Sequence, residues 1–201
     1  MLKKVELRIL ELLLEDLVSG RSILGISKKL KLSYPLAYNT VKSLVKNGIV
    51  YSEKKGNASI IKINFKDIRK EHLYAELNRR DNILEKHYKI KSISDKVQKL
   101  NQIHFICVLF GSYSKGNPKQ DSDIDLLFII PEEYDYGKFD TNIRTIMSAH
   151  NVYINLTPEK GLFEMWNTVK KLNVGNELLK GHIVLKGVED FLELRRRYEY
   201  G

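Results

Sequence analysis

The chain has 201 residues with 34 Lys and Arg against 25 Asp and Glu, a formal charge of +9, and its 43% hydrophobic content with only 4 prolines excludes a disordered or collagen-like polymer. That length accommodates one ordinary domain or two small ones. The single Cys107 excludes a disulfide framework and a thiolate zinc site. The charged start Met1–Glu6 lacks a signal-peptide core, and the longest apolar runs fall short of the ~20 residues of a bilayer span, so a soluble cytoplasmic protein without membrane contact is expected.

The positive charge is uneven. Residues 1–66 hold 13 Lys and Arg and 5 Asp and Glu, a net +8, whereas the remainder carries +1. A local excess of this kind points to a polyanionic partner. Within it, Val5, Ile9, Leu12, Leu13 and Leu17 recur at helical spacing and predict a first helix ending near Ser19-Gly20. Ser22 precedes a short second helix carrying Ile23, Ile26 and Leu30. Ser33 as N-cap and Pro35 in the first turn open a third, with an apolar stripe of Leu36, Ala37, Val41, Leu44 and Val45 that stops at Asn47-Gly48. Ile49–Tyr51 and Ile60–Ile63 then read as two strands around the turn Lys54-Lys55-Gly56-Asn57.

Three helices followed by a basic hairpin resemble the winged helix-turn-helix domains of archaeal and bacterial transcription regulators. The resemblance implies DNA as partner, with Tyr34, Tyr38, Asn39, Lys42 and Lys46 on the solvent face of a recognition helix and Lys54 and Lys55 on backbone phosphate at the wing tip. Such regulators commonly act as homodimers. Residues 67–91 keep an approximate helical period through Ile68, Leu73, Leu77, Leu84 and Tyr88, without Pro or Gly, and read as a helical connector; a further helix opens at Ser92. His72 and His87 have no second His or Cys at helical spacing and are expected on the surface.

The chemistry lies in residues 103–131. An apolar strand through Ile106, Val108 and Phe110 ends at Gly111-Ser112, a polar loop with Gly116 follows, and a second strand covers Ile124–Ile130. Asp123 and Asp125, two apart on that strand, project from one face. Adjacent carboxylates repel unless a cation sits between them, and hard oxygen ligands suit Mg²⁺ or Mn²⁺. A glycine that admits a ligand close to the backbone, a serine hydroxyl and loop amides can hold phosphate oxygens. A phosphate cradle beside a carboxylate pair is a device for metal-assisted phosphoryl or nucleotidyl transfer.

Gly111-Ser112, Gly116 and Ser122-Asp123-Ile124-Asp125-Leu126 resemble the signature of the nucleotidyltransferase superfamily that includes DNA polymerase beta, and of its minimal archaeal and bacterial members in particular. The likeness extends over about residues 92–190, through a helix near Phe139–Ala149, a strand Val152–Leu156, a helix from Glu159 and the ending Gly181–Gly187. It implies an NTP substrate bound by Gly111, Ser112, Gly116 and Ser122, metal held by Asp123 and Asp125, and a third carboxylate on the next strand. At the position matched to that acid stands Asn155, which is neither a base nor a charged ligand. Either another acid, Asp140 or Glu159, reaches the site, or the domain binds nucleotide without efficient transfer.

The expected architecture is therefore α+β. It has a winged helix over 1–66, a helical connector over 67–91 and, over 92–201, a polymerase-beta-like domain with a small mixed sheet flanked by helices. Two functions fit: a DNA-binding enzyme that moves NMP from Mg-NTP to a hydroxyl on protein, RNA or a small molecule, or a transcription regulator whose degenerate transferase domain binds nucleotide or a protein partner. His104 and Cys107 are expected in the first strand of the core, Trp166 with Leu162, Phe163, Val169 and Leu172 in a packed helix, and Arg195-Arg196-Arg197 at a solvated helix end.

Overall fold

In the computed structural model, which describes residues 2–100, 103–148, 151–168 and 173–201, the chain divides into two compact units. One is Met1–Asn78 with Leu192–Gly201, the other Arg79–Phe191.

The first unit follows the predicted order. Helix α1, Lys4–Leu14, buries Ile9, Leu10, Leu12, Leu13 and Leu14, and the Glu6 carboxylate accepts the Lys3 N–H at 2.8 Å to satisfy its first turn. Strand β1, Arg21–Ser22, leads into α2, Ile23–Leu30, where the Ser22 hydroxyl accepts the Gly25 N–H at 3.1 Å. Helix α3, Tyr34–Lys46, starts with Pro35 in its first turn and buries Ala37, Val41 and Leu44. Strands β2, Val50–Lys55, and β3, Ala58–Ile63, form an antiparallel hairpin, and with β1 they make a sheet of order β1-β3-β2.

Two features depart from the sequence reading. Lys54 and Lys55 belong to β2, because Lys55 pairs with Ala58 and the turn is only Gly56-Asn57, with Gly56 at φ +60°. Backbone pairing extends the ladder through residues whose polar side chains give no strand pattern. The two-residue β1 is likewise held by pairing with Ile60 and Ile61.

Helix α4, Lys70–Lys86, and α5, Tyr88–Gln98, replace the predicted connector and the helix expected from Ser92, with the break at His87. The division between units falls inside α4, after Asn78. His72 is a correction: it is fully buried, its Nε2 lies 2.7 Å from the Ile49 carbonyl, and its Nδ1 accepts the Arg69 N–H at 3.1 Å. Those partners fit the neutral tautomer protonated at Nε2, and burial holds the ring's pKa below its usual value. His87 is half-buried, edge-on to Tyr113.

The second unit is built on a four-stranded sheet of order β6-β5-β4-β7. Its strands are β4, Ile106–Phe110, β5, Ile124–Ile129, β6, Val152–Thr157, and β7, Ile183–Lys186. β4 pairs antiparallel with β5 and β7, while β5 and β6 run parallel, so the sheet is mixed as expected. Between the strands lie α6, Gly111–Ser114, α7, Tyr136–Met147, α8, Glu159–Asn167, and α9, Val174–Leu179; α10, Val188–Tyr200, follows β7.

One face of the sheet, Cys107, Leu109, Leu126 and Phe128, packs on Ile90, Ile93 and Val97 of α5 and on Phe139, Ile143 and Met147 of α7. Each fully buried side chain of this kind contributes about 1.5–3 kcal/mol. Cys107 lies in this core, and burial pushes its thiol far above the usual range. His104 does not: it precedes β4, is 79% exposed and meets Asp190 at 3.0 Å. Trp166 is buried and donates its Nε1–H to the Gly175 carbonyl at 2.9 Å. Val169, Leu172 and Ala149 lie outside the described residues.

The last turns of α10 belong to the first unit. There Arg195, expected in solvent, is 3% exposed, with its guanidinium 5.5 Å from the Phe65 ring centroid and 5.3 Å from that of Tyr198. It also pairs with Glu199. An aromatic seat makes this burial tolerable for a cation. Among the described residues, no helix is long and apolar enough to cross a membrane.

Candidate active site

The apolar residues of β4 end at Gly111, whose φ of +72° belongs to the left-handed region that glycine occupies without strain. A Cβ at this position would stand 2.1 Å from Asp125 Oδ2. Glycine is therefore required twice, for the backbone turn and for the carboxylate against it. Phe110 and Asp125 are direct partners in the β4–β5 register, which brings the loop and the acid together.

After Gly111 the chain makes the short turn α6 rather than the open loop that its polar composition suggests. The Ser114 hydroxyl lies 3.0 Å from the Gly111 carbonyl and 3.1 Å from that of Gly181, tying the turn to the segment before β7. The Asn117 N–H donates to the Ser112 carbonyl at 3.1 Å, closing the loop around Gly116, whose φ is +70°. Ser112 is half-buried within this loop. Ser122 orders the entry to β5: its hydroxyl accepts the Lys119 N–H at 2.8 Å, and its own N–H donates to the Lys119 carbonyl at 3.1 Å.

Asp123, at the lip of β5, and Asp125, inside it, are both half-buried. The Asn151 side-chain amide donates to Asp123 Oδ1. Desolvation raises the Asp125 pKa above the usual carboxylate range, the negative charges of Glu177 and Asp123 raise it further, and Lys115 opposes them. Glu177, on α9, is a neighbour the sequence reading did not find. It comes from an element some fifty residues downstream, which strand periodicity cannot connect to β5.

The register with β6 separates two positions. Tyr153 pairs with Asp125, whereas Asn155 pairs with Leu127, one pleat further along. The neighbour directly beside Asp125 on that strand is thus Tyr153, 62% exposed, and Asn155 is half-buried beyond it. Asp140 is engaged with Arg144 on α7 at 2.8 and 2.9 Å, and Glu159 opens α8. Among the described residues, no group of three or more His, Cys, Asp or Glu is placed to hold a metal ion. Two carboxylates in an excess of negative charge nevertheless suit a hard divalent cation that completes its shell with water and phosphate oxygens.

In the first unit, Tyr34, Tyr38, Asn39, Lys42 and Lys46 are all exposed on α3, with the Tyr34 and Tyr38 rings stacked at 6.3 Å. Lys54 and Lys55 are exposed beside the hairpin turn, while Lys62 is bound to Glu53 at 2.7 Å.

Comparison with curated proteins and with solved structures gives no match. The family model described as polymerase beta, nucleotidyltransferase matches residues 89–189, half of the chain and the segment that holds the glycine-serine turn, both carboxylates and the mixed sheet. On that match, the chain belongs to the polymerase beta nucleotidyltransferase family.

Proposed function

We propose that the second unit transfers a nucleoside monophosphate from Mg-NTP to a hydroxyl acceptor and that the first unit binds DNA. The observation that carries the transferase reading is the contact between Gly111 and Asp125, which leaves no room for a Cβ. It joins a phosphate-binding turn to a pair of acids in the arrangement that nucleotidyl transfer needs. Asp123 and Asp125 are the residues that would hold Mg²⁺ or Mn²⁺, and Asn151 fixes the orientation of Asp123. When bound, the cation neutralises triphosphate charge and polarises the α-phosphoryl group.

The remaining work belongs to the chain itself. Ser112 and the amides after it bind phosphate oxygens. The acceptor oxygen bonds to the α-phosphorus and pyrophosphate departs. Incubation with Mg²⁺ and α-labelled NTP tests this: label should enter a product with wild-type protein and fall at least 100-fold with Asp123→Ala or Asp125→Ala.

A regulator with a degenerate transferase unit is the second reading, favoured by Tyr153 rather than an acid beside Asp125. It predicts nucleotide-dependent DNA affinity without transfer. For the first unit, the order α1-β1-α2-α3-β2-β3 and the sheet β1-β3-β2 support a winged helix, with the exposed face of α3 for a groove and Lys54 and Lys55 for phosphate.

A further inference from the structure

The second unit carries another concentration of charge, opposite in sign to the carboxylate pair. Residues 86–99 contain five lysines and a single acid, Asp95. Among them Tyr88, at the start of α5, exposes 82% of its surface. Two open clefts adjoin this ring. One, of about 360 Å³, is walled by Lys86, Lys89 and Lys119. The other, of about 410 Å³, follows the outer face of α5 along Lys91 and Lys99. Tyr88 therefore stands between two basic hollows, at helical spacing from the residues of the second.

The first cleft reaches the loop that enters β5. Tyr113 of α6 forms part of its wall, and Lys119 opens the turn that Ser122 closes. A hydrogen-bonded turn brings its end Cα atoms within ~7 Å, and Asp123 is one residue, ~3.8 Å, further on. Lys119 thus lies within ~11 Å of Asp123 along the backbone, about three stacked nucleotides at ~3.4 Å each.

We propose that this track binds a single-stranded polynucleotide and presents its terminal hydroxyl to the site, which makes a nucleic-acid end the acceptor; the inference rests on the nucleotidyl-transfer reading. An exposed ring between rows of lysines matches what such a strand offers, a base to stack and phosphates to neutralise. A small-molecule acceptor would need neither the second cleft nor its charge. In the step, the terminal hydroxyl oxygen bonds to the α-phosphorus of the NTP. The bond from that phosphorus to the bridging oxygen of the β-phosphate breaks, its electron pair leaves with pyrophosphate, the hydroxyl proton passes to water, and the strand grows by one nucleotide.

The test uses the full chain, fluorescein-labelled single-stranded 12-mers of RNA and of DNA, and excess unlabelled duplex DNA to occupy the first unit. Tyr88→Ala should weaken single-strand binding about tenfold while Tyr88→Phe retains it. The triple variant Lys86→Ala, Lys89→Ala, Lys119→Ala should reduce the salt slope by about 2. Wild type with Mg-NTP should lengthen the 12-mer, and whether RNA or DNA is lengthened identifies the source. Unchanged affinity and salt slope in both variants would overturn the proposal. So would label transferred to the protein or to a co-purified molecule but never to either 12-mer, a result that leaves the transferase reading standing. Label in no product at all would instead overturn that reading beneath it.

Discussion

At the scale of single residues, Gly111 has little freedom. Its substitution by alanine must accommodate a left-handed φ, which costs about 1–2 kcal/mol, and displace the Asp125 carboxylate from a Cβ 2.1 Å away. Gly111→Ala is therefore expected to lower stability by about that amount in urea unfolding and to reduce nucleotidyl transfer more than 100-fold, since the carboxylate is what must move. An active variant with ordinary stability would show that the turn and the acid are not coupled. His72 gives a pH signature in the first unit. Its folded pKa is depressed by burial, so between that value and the unfolded value of ~6.5 the unfolded chain binds more protons. Stability should then rise with pH through this window and level off on either side of it. His72→Gln should flatten that slope; an unaltered slope in the variant would assign it to another group.

Among the elements, the hairpin and α3 carry the proposed DNA contact. Replacing Lys54 and Lys55 together with alanine should weaken binding similarly for all duplex sequences and reduce the salt slope by about 1.8, because phosphate contacts carry no sequence information. Asn39→Ala, on the exposed face of α3, should instead act more on one sequence than on others. Loss of discrimination from the lysine pair, or an unchanged slope, would remove the hairpin from the interface.

The elements also show what the sequence contained. Periodicity located the three amino-terminal helices, and the apolar runs of residues 106–130 located strands β4 and β5, because burial of one face and the geometry of a strand are local. What escaped it depends on distant pairing. β1 exists through Ile60 and Ile61, Lys54 and Lys55 are strand residues through backbone bonds, and the neighbour of Asp125 is Tyr153 through a parallel register no local pattern specifies. Buried polar groups escaped for a related reason. His72 and Arg195 look solvated by type, and their burial depends in part on partners far along the chain, Ile49 and Phe65.

For the whole molecule, the +9 charge separates into a basic amino-terminal third and a nearly neutral remainder whose acidic and basic groups are each concentrated locally. The two proposed functions, one on each unit, should be separable. Asp123→Ala with Asp125→Ala should leave duplex binding and its salt dependence at wild-type values, as measured by fluorescence anisotropy at several salt concentrations. The most direct measurement is transfer itself: wild type and the two single Asp→Ala variants incubated with Mg²⁺, each of the four α-labelled NTPs and the single-stranded 12-mers. Nucleotidyl transfer at this site predicts labelled product from wild type and at least a 100-fold loss in both variants. Equal labelling by wild type and variants, or no labelled product from any NTP, would contradict it.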